Sequence, residues 1–218
     1  MSWQNWVVSR MVRNQIKKPT EREPFDPIAT RLHAEKRKMP SPVELPPDWR
    51  IVPADGVNGD GLTGEWIEPA DPDLHDDAPV VLYLHGGGYF FCSPRTHRPI
   101  TIGLATHARA RVCVPDYRLA PEHPFPAPVE DALFTYRTLV TQGVSPSRIV
   151  VAGDSAGGGL ALALLVALRD ASDPLPAGAV LYRIAEYLAR EWSRPVDERS
   201  ESFSNFAQQV FFVIDWVP

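Results

Sequence analysis

The sequence predicts an α/β fold, a mainly parallel sheet with helices on both faces. Three observations carry that expectation. Apolar segments such as "PVVLYL", "RVCVPD" and "RIVVAG" alternate with stretches of helical pattern. Glycines follow directly on one of these strands, in "YLHGGG". Residues 150–165, "VVAGDSAGGGLALALL", read as a strand, a sharp turn carrying a serine, and a helix.

The elements follow in chain order. Residues 1–47 read as an N-terminal helical arm: Trp3, Trp6, Val7, Met11 and Ile16 share one apolar helical face, and a second, weaker helix covers 26–39. The arm is either a prop packed on the domain or a lid over a pocket. The core spans 48–182. "WRIVPA" (49–54) and "LTGEWIEPA" (62–70) are strands joined by the Gly- and Asp-rich turn "DGVNGDG". The strand "APVVLYL" runs into glycines, and "ARVCVPDYRL" (110–119) is a further strand. A helix covers 128–143, with Pro128 suited to its first turn and Gly143 to its C-terminal cap. A buried strand (147–153), a helix (155–170) and a strand (177–182) complete the pattern. Residues 183–218 form a divergent C-terminal tail.

Composition narrows the function classes. The 218 residues suffice for one domain with a sizeable core, and 44% hydrophobic with 22% charged residues is ordinary for a globular protein. A net charge of −5 without a basic run gives no reason to expect a nucleic-acid partner. The 23 prolines imply rigid loops. The longest apolar run, 159–168, is half of the ~20 residues a membrane span needs. The start lacks the continuous apolar core of a signal peptide, so a cytoplasmic location is expected. Cys92 and Cys113 make neither a disulfide framework nor a metal spacing and read as core or near-core thiols; no metal site is expected.

Gly153-Asp154-Ser155-Ala156-Gly157 fits G-x-S-x-G. A strand turning abruptly into a helix strains the serine backbone, and flanking side chains would collide, hence the glycines. The hydroxyl is left exposed at a helix N-terminus, where free N–H groups favour developing negative charge. Gly157, Gly158 and Gly159 in one helical turn suggest close backbone approach. Taken alone, the pentapeptide also fits a turn with an incidental serine. His85-Gly86-Gly87-Gly88 exposes N–H groups that suit an oxyanion, together with the N–H of the residue after the nucleophile. Taken alone, it also fits a flexible glycine turn. The two motifs in this order, on these elements, weaken both simpler readings.

"YLHGGGYFF", "DYRLAPEHPFPAPVEDA" and "GDSAGGGLA" together resemble the hormone-sensitive-lipase branch of the α/β-hydrolases, over residues 48–182. The resemblance implies a carboxylesterase or lipase acting on small-molecule esters without a cofactor, beneath a helical lid from the N-terminal arm. It implies Ser155 as nucleophile, Gly87, Gly88 and Ala156 as oxyanion donors, and His85 and Gly86 as support for the oxyanion loop. His123 is likewise implied to be structural. Glu130 and Asp131 open a helix and read as helix-start acids.

The family order is serine, acid, histidine, but all six histidines here precede Ser155. "RIAEYLAREW" (183–192) has a helical pattern and resembles the closing helix of such hydrolases. The expectation is therefore a tail that follows a deletion, altered splicing or a frameshift, with the acid and base lost and the C-terminal part of the fold incomplete. A genuine short variant is the alternative. Asp197, Glu198 and Asp215 sit in no acid motif, so triad acid and base are unassigned. An incomplete sheet edge would invite self-association. A binding protein that keeps the pocket without the chemistry is the competing function.

Overall fold

The computed structural model describes residues 26–35, 44–54, 63–76 and 78–182. The apolar face expected in the first turns of the arm and the whole tail from residue 183 lie outside the described residues. The elements are α1 (Pro27–Glu35), β1 (Trp49–Pro53), β2 (Thr63–Pro69), β3 (Val80–Leu84), α2 (Pro94–Ala108), β4 (Arg111–Asp116), α3 (Ala127–Thr141), β5 (Ile149–Asp154), α4 (Ala156–Asp170) and β6 (Gly178–Tyr182). The sheet order is β1-β2-β4-β3-β5-β6. β1 pairs antiparallel with β2, and β2 antiparallel with β4. β4, β3, β5 and β6 run parallel, joined by helical crossovers as the alternating pattern requires.

Alternation along β3 builds both layers of the core. Val80, Leu82 and Leu84 join Cys113, Val151, Leu139, Tyr136, Leu160 and Leu164 on the side of α3 and α4. Val81 and Tyr83 join Val112, Val114, Ile102 and Ala105 on the side of α2. A strand apolar at every position is what a sheet covered on both faces needs. Each such side chain contributes roughly 1.5–3 kcal/mol by leaving water.

α2 was not anticipated from the sequence. Pro99 inside it argues against a helix, while Ser93 followed by Pro94 is an ordinary helix start. The Thr96 hydroxyl accepts the Ser93 N–H at 3.0 Å and ties the first turn. α3 begins at Ala127 with Pro128 in its first turn, and Gly143 beyond its end has φ +95°. No helix among the described residues is long and apolar enough to cross a membrane.

The register sets up the site. Leu84 pairs with Gly153 in the β3–β5 ladder, and Asp154 with Tyr182 in the β5–β6 ladder. The carboxyl ends of three parallel strands therefore meet, where open α/β sheets place their ligands.

Candidate active site

Ser155 occupies the turn from β5 into α4 with φ 51° and ψ −118°. A non-glycine residue in such a conformation costs on the order of 1–3 kcal/mol and persists only where its surroundings enforce it. The Ser155 N–H donates to Tyr182 O at 3.0 Å, and the Ser155 carbonyl accepts the Gly159 N–H at 3.1 Å. The side chain is exposed. The turn is tight because its glycines have no side chains. A Cβ on Gly157 would overlap Leu84 O and lie 2.5 Å from His85 O. One on Gly153 would lie 2.5 Å from the Gly157 carbonyl. Gly159 is different: its neighbour is the Tyr89 hydroxyl, 3.0 Å from where a Cβ would stand. Close backbone approach thus explains Gly157, while a side chain at Gly159 would need the Tyr89 ring to give by a few tenths of an ångström.

The glycine loop leaves the end of β3 beside this turn. Gly87, Gly88 and Tyr89 have φ of 126°, 60° and 65° in succession, and Cys92 follows at 72°. The N–H groups of Phe90 and Phe91 both donate to Gly87 O at 3.1 Å. Neutral loop backbone is fixed from below by His85, which is fully buried and stacks on Tyr117 with ring centroids 4.3 Å apart. His85 Nδ1 donates to Gly86 O at 2.8 Å, and the Tyr117 hydroxyl donates to His85 O at 2.6 Å. Burial pushes the His85 imidazole down to about 4 against the bond to Gly86, so the ring is neutral near pH 7.

Asp154, next to the serine, links the two motifs. Its Oδ1 accepts the Gly86 N–H at 2.9 Å and the Tyr83 hydroxyl at 2.8 Å. His97 Nε2 on α2 lies 3.4 Å from the same oxygen. Burial alone would raise the Asp154 carboxyl, but His97, Tyr83 and Gly86 together hold it below the usual carboxylate range. Burial first, then the adjacent Asp154 charge, drives the Tyr83 phenol far up, which keeps it a donor. From the sequence, Asp154 is named only as a member of the serine motif, and Tyr83, His97 and Tyr117 are given no role. Their signal is tertiary: only strand register and an unanticipated α2 bring them together.

Among the described residues, no histidine is hydrogen-bonded to Ser155. His75 contacts Pro69 O at 2.9 Å, His107 contacts Gly103 O at 2.8 Å, and His123 lies exposed in the loop before α3. Of the two acids that open α3, Glu130 is exposed, but Asp131 is buried and does more than favour a helix start. It accepts the Arg118 N–H at 2.8 Å and the Arg118 guanidinium at 2.6 Å, fixing the segment after β4.

A groove of about 570 Å³ lies between α2 and the end of β6, bordered by Ile100, Leu104, His107, Asp154 and Tyr182. β6 is the edge of the described sheet, with Val180 43% and Tyr182 39% exposed.

A family profile described as alpha/beta hydrolase fold matches residues 81–213. An acetyl-hydrolase of Streptomyces hygroscopicus is 50% identical over 130 residues, 60% of this chain and 42% of its own length. The carboxylesterase NlhH of Mycobacterium tuberculosis is 40% identical over 146 residues, 65% of this chain and 46% of its own. The crystal structure of an esterase from the bacterial hormone-sensitive lipase family superposes with a TM-score of 0.62 at 36% identity, covering 93% of this chain and 68% of that one. The chain spans less than half the length of these two curated relatives.

Proposed function

The chain belongs to the α/β-hydrolase fold family, in its hormone-sensitive-lipase branch, and on that premise we propose that it carries the nucleophile and oxyanion half of a carboxylic-ester hydrolase. Ser155 Oγ attacks the carbonyl carbon of a small ester, and its proton passes to a general base. The carbonyl oxygen becomes an oxyanion that the N–H groups of Gly87, Gly88 and Ala156 receive. Collapse expels the alcohol, which takes up the proton, and water then hydrolyses the acyl-serine. His85 and Gly86 hold the glycine loop and exchange no proton with substrate. Residues 48–182 are the catalytic core, and residues 1–47 are its N-terminal arm, either a prop or a lid.

The observation that carries this reading is the strained Ser155 backbone at a strand–helix turn, one residue beyond an aspartate bonded to the first glycine of the facing loop. Substrate class follows from relatives named acetyl-hydrolase and carboxylesterase. The 218 residues contain no histidine after Ser155, so no base is assigned. A second reading is a protein that binds an ester-like ligand without turning it over. Labelling with a fluorophosphonate, alongside a Ser155→Ala control, tests the first reading: adduct on Ser155 supports it, and label independent of Ser155 refutes it. Saturable ester binding without adduct or turnover favours the second.

A further inference from the structure

Arg31 on α1 joins three segments that are distant in sequence. Its Nε donates to Phe90 O at 2.8 Å and its Nη2 to Ala120 O at 2.6 Å. The same fork grips the Glu122 carboxylate at 2.9 and 2.8 Å. Phe90 belongs to the glycine loop, and Ala120 to the segment after β4. These two segments also meet directly, because the Ala120 N–H donates to Tyr89 O at 2.8 Å. Arg31 therefore reinforces a place where the loop is bonded to a neighbour beyond its own turn, on the side away from Asp154. The side chain is only 18% exposed, whereas Glu122 is 42% exposed. Its bonds to the two carbonyls are thus the shielded part of the contact, and the ion pair is the outer part.

The loop needs such a hold. Gly87, Gly88, Tyr89 and Cys92 are all left-handed, and two of them carry side chains that disfavour this conformation. Such a backbone persists only where its neighbours over-determine it. Asp154 and His85 secure the start of the loop at Gly86. Past Gly88, the bonds to Tyr89 O and Phe90 O do so.

We propose that Arg31 is a positioning residue for the oxyanion loop: its guanidinium holds Phe90 O beside Ala120 O and thereby fixes the backbone that aims the Gly87 and Gly88 N–H groups. α1 is then coupled to acyl transfer through this side chain. This inference rests on the ester-hydrolase reading above.

The test compares Arg31→Ala, Glu122→Gln and wild type in the full 218-residue chain. Glu122→Gln weakens the ion pair but leaves both carbonyl bonds. One readout is amide hydrogen exchange over residues 86–92. The other is the concentration dependence of fluorophosphonate labelling at Ser155. For Arg31→Ala we expect exchange over 86–92 about tenfold faster and a maximal labelling rate about tenfold lower, with the half-saturating concentration unchanged. Glu122→Gln should stay within about twofold of wild type in both. Wild-type exchange and labelling in Arg31→Ala would overturn the proposal, as would Glu122→Gln reproducing its effects, since Arg31 would then merely anchor α1. If wild type shows no Ser155-dependent label, the ester-hydrolase reading fails. The exchange comparison still decides the Arg31 contact: protection lost in Arg31→Ala alone supports it, and equal protection overturns it.

Discussion

His85 should make the stability of this protein depend on pH in the weakly acidic range. Burial lowers its native-state value to about 4, from an ordinary 6.5 in the unfolded chain. Between those values the unfolded state binds a proton that the native state refuses. Its contribution is therefore fully present above about pH 6.5 and falls as pH drops towards 4, below which it levels off. The loss amounts to about 2 kcal/mol between about pH 7.5 and pH 5, and about 3 kcal/mol by pH 4. The comparison is His85→Asn, whose amide can still donate towards Gly86 O but cannot titrate. Losing the ring stacked on Tyr117 costs roughly 1–3 kcal/mol at every pH, so the slope is the discriminating quantity and not the offset. Urea unfolding at several pH values measures both proteins. Wild type should lose about 2 kcal/mol more than the variant on going to about pH 5. Parallel pH profiles would refute the buried neutral histidine.

Other perturbations follow from the same geometry. Gly157→Ala places a methyl into Leu84 O and His85 O, so thermal unfolding should register a loss of about 3 kcal/mol or more, or a failure to fold. Gly103→Ala on α2 meets nothing within 4 Å and should instead gain about 0.5–1 kcal/mol in the same assay. Asp154→Ala leaves the Tyr83 hydroxyl and the Gly86 N–H without their acceptor, at roughly 1–3 kcal/mol each, and Tyr83→Phe in that background should recover part of the loss in urea unfolding. Either residues beyond Tyr182 cover the β6 edge or the chain self-associates through it, and sedimentation should then show concentration-dependent association that Val180→Lys relieves; a wild-type monomer whose amides beyond Tyr182 exchange without protection would contradict this.

Much of this architecture was legible because it is local. Strand runs such as Val80–Leu84 and Ile149–Asp154 are apolar at nearly every position, which two-sided burial demands. The turn at Ser155 was legible because only glycine tolerates what surrounds positions 153 and 157. α2 was not, since Pro99 offsets a good helix start and tertiary packing decides. The Asp154 cluster was hidden for the same reason: Tyr83, Gly86 and His97 reach one carboxylate oxygen only after β3, β5 and α2 have packed. Asp131 read as a helix-start charge because its partner, Arg118, lies in the preceding loop. Arg31 gave no signal at all, since its carbonyl partners have no sequence signature.

Under the proposed reading, Ser155 is the nucleophile of a 218-residue chain in which all six histidines precede it. Hydrolysis of a short-chain activated ester by this chain, beside Ser155→Ala and a related esterase, tests both halves at once. A serine hydroxyl without its base loses roughly six decades of rate, while the oxyanion site and binding retain on the order of 10³–10⁴ over water. The predicted result is slow turnover, several decades below the related esterase, that disappears in Ser155→Ala. Turnover within about tenfold of the related esterase would contradict the account by revealing an unassigned base, and turnover that survives Ser155→Ala would contradict it by removing the nucleophile.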